Sequence, residues 1–146
     1  MSTSRHLLRR LRGSLSKRPP SADDERWVTD VLLGHELELW GRMSVADRRH
    51  SIEVARRFAE LRRDASRSEL AGALLHDVGK IDSGLGTWGR VAATLIGPRT
   101  ARFRTYHEHE RIGAEWLAAA GSTSETVELV RGLGPAAADL SRADEI

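Results

Sequence analysis

The spacing of apolar residues between Ser44 and Arg63 most constrains the fold. In "VADRRHSIEVARRFAELRR", His50, Val54, Phe58 and Leu61 recur at i, i+4, i+8 and i+11. That period puts all four side chains on one narrow face of an α-helix. Ser44, followed three positions later by Asp47, reads as its N-terminal cap, with Asp in place of the usual Glu of a capping box. The same period returns along the chain. "ERWVTDVLLGHELELWGRM" carries Trp27, Val31, Leu32 and Leu39 at helical spacing behind a Ser21 or Asp23 cap, and Gly34 splits it in two. "ELAGALLHDVG" follows a Ser66 or Ser68 cap, puts Leu70, Leu74, Asp77 and Val78 on one face, and stops at Gly79. "RVAATLI" is a helix ended by Gly97-Pro98. "TYHEHERIGAEWLAAAG" turns Ile112, Trp116 and Leu117 inward, and "SETVELVRGLG" is a short helix. Pro135 suits the first turn of a last one. No stretch alternates like a strand and nothing repeats. The expectation is an all-α compact bundle of six or seven short helices.

At 146 residues the chain fits one domain and can bury a core without disulfides. It has no cysteine, which removes thiolate metal sites and cysteine nucleophiles. Any metal must be held by His, Asp, Glu or water. No apolar run approaches the roughly 20 residues that span a bilayer. The N-terminus lacks the apolar core of a secretory signal. The expected compartment is the cytoplasm.

Charge separates an arm from a body. Residues 1–20 hold six basic groups and no acid, so a chain of net +2 leaves about −4 on residues 21–146. Leu7, Leu11 and Leu15 among the arginines allow a short amphipathic helix, weakened by Gly13. The alternative is a disordered, solvated arm. A basic arm can touch a membrane surface or nucleic acid. "SKRPPSADDE" reads as its linker to the body, because Pro19 and Pro20 cannot continue a helix.

Candidate chemistry centres on "ALLHDVGK". His76 and Asp77 stand side by side at the apolar end of a helix, and His50 lies on the preceding one. A short connection makes the two helices antiparallel and brings all three side chains to one point. A buried carboxylate is costly unless it is paired or metal-bound. Two imidazoles and that carboxylate make an N,N,O site for a divalent first-row metal, with open positions for water and substrate. Taken singly, His50 reads as a core histidine and Asp77 as a cap or an arginine partner. Lys80 is one of only two lysines against 21 arginines, which draws attention to it as a cation for phosphate. Its structural alternative is a cation facing the helix C-terminus.

"RRHSIEVARRF", "AGALLHDVGK" and "SRADEI" together resemble the HD-domain metal-dependent phosphohydrolase superfamily, over roughly residues 29 to 146. The family pattern is a His, a His-Asp doublet and a distant Asp. These fall on His50, on His76-Asp77 and on Asp144, with Asp139 as the nearby alternative. The resemblance implies an all-α bundle that binds divalent metal and hydrolyses phosphomonoesters or phosphodiesters, often of nucleotides. It implies His50, His76, Asp77 and Asp144 as ligands of one ion, Mn, Fe, Co, Ni, Zn or Mg. Asp77 would also orient the attacking water. His109 matches the His before "E-x-x-G-A" of many relatives. A further family histidine would fall near Arg131 to Leu133 and is missing, so one metal is expected. His109 and Lys80 then serve catalysis and substrate phosphate, joined by Arg49, with His107, Glu110, Arg48, Arg90 and Arg102 as weaker candidates. Trp88 reads as a core tryptophan or as a platform for a base. The competing reading is a non-catalytic domain of the same fold that binds a nucleotide or a protein.

Overall fold

A computed structural model describes residues 18–83 and 109–145, with the side chains of 81–83 left aside. The described residues form seven α-helices, one 3₁₀ segment and no strand. The helices are α1 (Ala22–Val31), α2 (Gly34–Arg42), α3 (Val45–Leu61), α4 (Arg67–Leu75), α5 (His109–Ala120), α6 (Ser124–Val130) and α7 (Ala137–Glu145). The 3₁₀ segment, Val78–Ser83, follows α4. The N-terminal arm up to residue 17, the loop after Ser83, "RVAATLI", Trp88, Arg90, Arg102 and His107 lie outside the described residues.

Local chemistry sets the helix starts. The hydroxyls of Ser21, Ser44, Ser66 and Thr123 accept from backbone N–H groups three residues on, satisfying donors that a first turn leaves open. At Ser66 the box is reciprocal, since Glu69 Oε1 accepts from Ser66 N at 3.0 Å. Gly34 does part α1 from α2, but as the first residue of α2. Glu36, fully buried, fixes that corner. Its carboxylate accepts from Leu33 N at 2.8 Å, Ser122 Oγ at 2.8 Å and Arg67 Nη1 at 3.2 Å.

Helix α4 is the centre. Ala71 to Leu75 are all buried, as expected of a helix apolar on every side. It packs against α3 and α6, α7 lies along α3, and α5 lies against α6 and the 3₁₀ segment. Val54 and Phe58 of the α3 stripe are fully buried, whereas Leu61 is exposed and His50 half-buried. Leu117 of α5 is buried, while Ile112 and Trp116 are half-buried.

Two helix boundaries differ from the periodicity. Helix α4 ends at Leu75, with His76 as its C-cap, and not at Gly79. The chain tightens into 3₁₀ geometry from Val78, so Asp77 sits in the turn between two helical segments. Gly79 serves a close approach. A Cβ there would overlap the His109 carbonyl and stand 2.9 Å from Gly113 N. The 3₁₀ segment and α5 therefore touch backbone to backbone, which only glycine permits. At the other end, Pro135 lies in the turn before α7, two residues upstream of its first turn. Gly132 and Gly134 take positive φ of 79° and 90° there.

Candidate metal centre

Helix α3 presents His50 near its N-terminal end. The end of α4 presents His76 and, one residue later, Asp77. The last turn of α7 presents Asp144. His50 Nε2 lies 2.9 Å from Asp144 Oδ1, and His76 Nε2 lies 3.6 Å from the same oxygen. One ligand atom from each of His50, His76 and Asp144 falls within 4.8 Å of the other two. Asp77 joins the group through His76, with Oδ2 at 3.4 Å from His76 Nε2. Asp139, the alternative late aspartate, is engaged elsewhere, 3.4 Å from Arg62 Nη1.

The state of His76 follows from its surroundings. Its Nδ1 donates to the Ala73 carbonyl at 2.7 Å, so Nδ1 carries the proton. Nε2 is buried, has no hydrogen-bond partner and faces the Asp144 and His50 atoms. A metal-binding imidazole is held in this way: one nitrogen tied to a carbonyl, the other aimed at the ion. The donor set of imidazole nitrogens and carboxylate oxygens suits a divalent cation. The residues present therefore fit one.

The electrostatics agree. Burial lowers the His76 pKa, but the Asp77 charge and then Asp144 outweigh it and push the imidazole up to about 9. Burial raises Asp77, yet His76, Lys80 and His109 hold it well below the usual carboxylate range. Burial likewise raises Asp144, and His50 and His76 outweigh it to hold the carboxyl far below its ordinary value. The group is two ionised carboxylates beside the His76 imidazole, whose positive charge they favour.

Lys80 Nζ lies 2.9 Å from Asp77 Oδ2, and His109 Nε2 lies 3.3 Å from Asp77 Oδ1. Each oxygen of Asp77 thus has its own nitrogen partner. Lys80 and His109 meet at Asp77, where the sequence placed them in one site. Glu110 neighbours the α6–α7 loop: a Cβ on Gly132 would stand 3.5 Å from Glu110 Oε2. Arg49 lines a shallow groove with Arg18, Pro20, Asp24 and Glu53, a groove that none of the four ligand candidates lines. Arg48 is half-buried on the first turns of α3.

Two contributors were missed by sequence reading. One is the Ala73 carbonyl, three residues before His76. The other is Arg57, whose Nε donates to the Ala143 carbonyl at 2.8 Å. Its position seven residues after His50, on the same face of α3, was the available signal.

The HD domain family profile matches residues 48–143, about two thirds of the chain. The chain belongs to the HD domain family. HD domains typically bind divalent metals, and most are hydrolases. No curated protein and no solved structure matches it. Among the described residues, no helix is long and apolar enough to cross a membrane.

Proposed function

We propose that this chain is a mononuclear metal-dependent phosphohydrolase. It would cleave a phosphomonoester or phosphodiester bond of a small phosphorylated molecule, with nucleotides the leading class. The observation that carries this reading is the His76 ring, held at Nδ1 by the Ala73 carbonyl, with its buried Nε2 free of hydrogen bonds and gathered with His50 and Asp144. His50, His76 and Asp144 would hold the ion, with Asp77 contributing from the adjoining turn. When bound, a divalent ion supplies Lewis-acid polarisation of a phosphoryl oxygen and acidifies water.

The chain's own groups do the rest. Asp77 is ionised and held at both oxygens, so it can orient a water by accepting its hydrogen without rotating. Lys80 and His109 approach the same carboxylate and offer N–H groups to a phosphate oxygen. Burial of His76, Asp77 and His109 limits competing water. The stretch Arg131 to Leu133 offers no histidine, which favours one ion over two.

The test is metal analysis together with a broad phosphoester panel. The protein is stripped with chelator and reloaded with each of Mn, Fe, Co, Ni, Zn and Mg. Wild type should bind about one equivalent and cleave at least one nucleotide substrate. His76→Ala should lose metal, and Asp77→Ala should lose turnover by about a hundredfold or more. Metal binding with no cleavage across the panel would favour the non-catalytic nucleotide- or protein-binding reading. A chain that binds no metal would refute both.

A further inference from the structure

Asp144 poses a positioning problem. It is about one-third exposed and lies in the final turn of α7, where intrahelical hydrogen bonds run out. Such turns fray unless something outside the helix satisfies their carbonyls. Yet Asp144 Oδ1 is the atom shared by both histidines.

Arg57 answers it. Its Nε donates to the Ala143 carbonyl at 2.8 Å, across 86 residues of sequence. The Ala143 carbonyl and the Asp144 N–H belong to one peptide unit, which is planar and rigid. A bond to that carbonyl therefore fixes the plane from which Asp144 departs. The Ala143 side chain is fully buried, so the unit is held from two sides. Arg57 also brings a cation to a helix C-terminus, where the macrodipole favours it. Both His50 and Arg57 stand on α3, two turns apart on one face. One helix thus provides a ligand candidate and the clamp for its partner on α7. A second tie, Arg62 Nη1 to Asp139 Oδ2 at 3.4 Å, joins the same two helices four residues before Ala143.

We propose that Arg57 is a positioning residue for the metal centre, acting through its Nε hydrogen bond to the peptide unit that carries Asp144. The proposal rests on the metal-site reading above. It assigns to the hydrogen bond, and not to the charge, the task of holding Asp144 opposite His50 and His76.

The side chains allow a sharp test. Glutamine carries its amide nitrogen at the same chain position as arginine Nε, without the charge. Methionine has similar length and no donor. Cobalt(II) is the probe, read by titration and by the visible absorption of the bound ion, which reports its ligands. Arg57→Met should weaken cobalt binding about tenfold, as loss of a group that orients a ligand does. Its spectrum should move toward that of Asp144→Ala. Arg57→Gln should keep wild-type affinity within about threefold and the wild-type spectrum. Arg62→Met is the control for a merely structural tie: lower stability, unchanged cobalt spectrum. Arg57→Leu replaces Arg57→Met if the latter is too unstable to titrate, with the same expectation. Wild-type affinity and spectrum in Arg57→Met would overturn the proposal while leaving the metal site standing. Equal losses in Arg57→Gln and Arg57→Met would overturn the hydrogen-bond assignment. A wild-type chain that binds no cobalt would overturn the site reading and the proposal together.

Discussion

Gly79→Ala is a severe test of how the site is assembled. The added methyl would overlap the His109 carbonyl oxygen, and would stand 2.6 Å from its carbon and 2.9 Å from Gly113 N. Ordinary contact begins near 3.4 Å. All three atoms are backbone, so no rotamer change relieves the clash. The 3₁₀ segment and α5 must separate by roughly 1.5 Å, in a contact packed at interior density. Overpacking of this kind costs about 1–3 kcal/mol, and the upper end applies because backbone must move. The alanine returns about 0.4–1 kcal/mol by restricting the unfolded chain. The net loss is about 2 kcal/mol, or a Tm lowered by about 6 °C for a domain of this size. Two other glycines calibrate the estimate. At Gly72 the three atoms nearest the added methyl all belong to the Leu129 side chain, from 2.9 Å. That buried side chain must give a little, and alanine is the better helix former, so Gly72→Ala should cost clearly less than Gly79→Ala. Gly113 meets the Val78 side chain at 2.8 Å and Gly79 N at 3.0 Å, so Gly113→Ala should fall between. Urea unfolding of the three variants measures the order. Gly79→Ala within about 0.5 kcal/mol of wild type, or no worse than Gly72→Ala, would refute the backbone contact.

Two further outcomes are expected. In metal-free protein, His76 is raised to about 9 from an ordinary 6.5, so its contribution is whole below about 6.5 and lost as pH climbs through 9. The loss is roughly 3 kcal/mol, and urea unfolding between pH 6 and 10 should show it in wild type and not in His76→Gln. Asp77 and Asp144 have the opposite sense: their lowered pKa values give stability that is present above the usual carboxylate range and lost as pH falls below it. Glu36→Ala should cost about 3 kcal/mol by stranding Leu33 N, Ser122 Oγ and Arg67, whereas Glu36→Gln should cost about 1 kcal/mol. Equal effects in urea would show that the buried carboxylate's charge matters more than its shape.

Much of this was legible because helices advertise themselves locally. The i, i+4 spacing of Val54 and Phe58 found α3 and its inward face, and Ser44 and Ser66 marked two starts. His50, His76, Asp77 and Asp144 could be named because the spacing of a His, a His-Asp doublet and a late Asp is a linear signal. The end of α4 was misjudged by four residues. Gly79 carries the same letter whether it stops a helix or admits another backbone, and only the neighbour at His109 tells the two apart. Glu36 and Arg57 were missed for a similar reason. A charged residue among 30% charged residues looks like surface until its long-range partner is known.

The sequence by itself determined the all-α class, most of the helices and the residue types available to hold a cation. Those properties follow from periodicity, capping and composition, which act over a few residues. Only the tertiary structure decided that His50 and Asp144, 94 positions apart, share one point. It also decided that His76 turns its Nε2 toward that point, and that the Arg57 side chain bonds the peptide unit from which Asp144 projects. Those outcomes depend on how helices cross and on where backbones touch, and no stretch of local sequence contains that geometry.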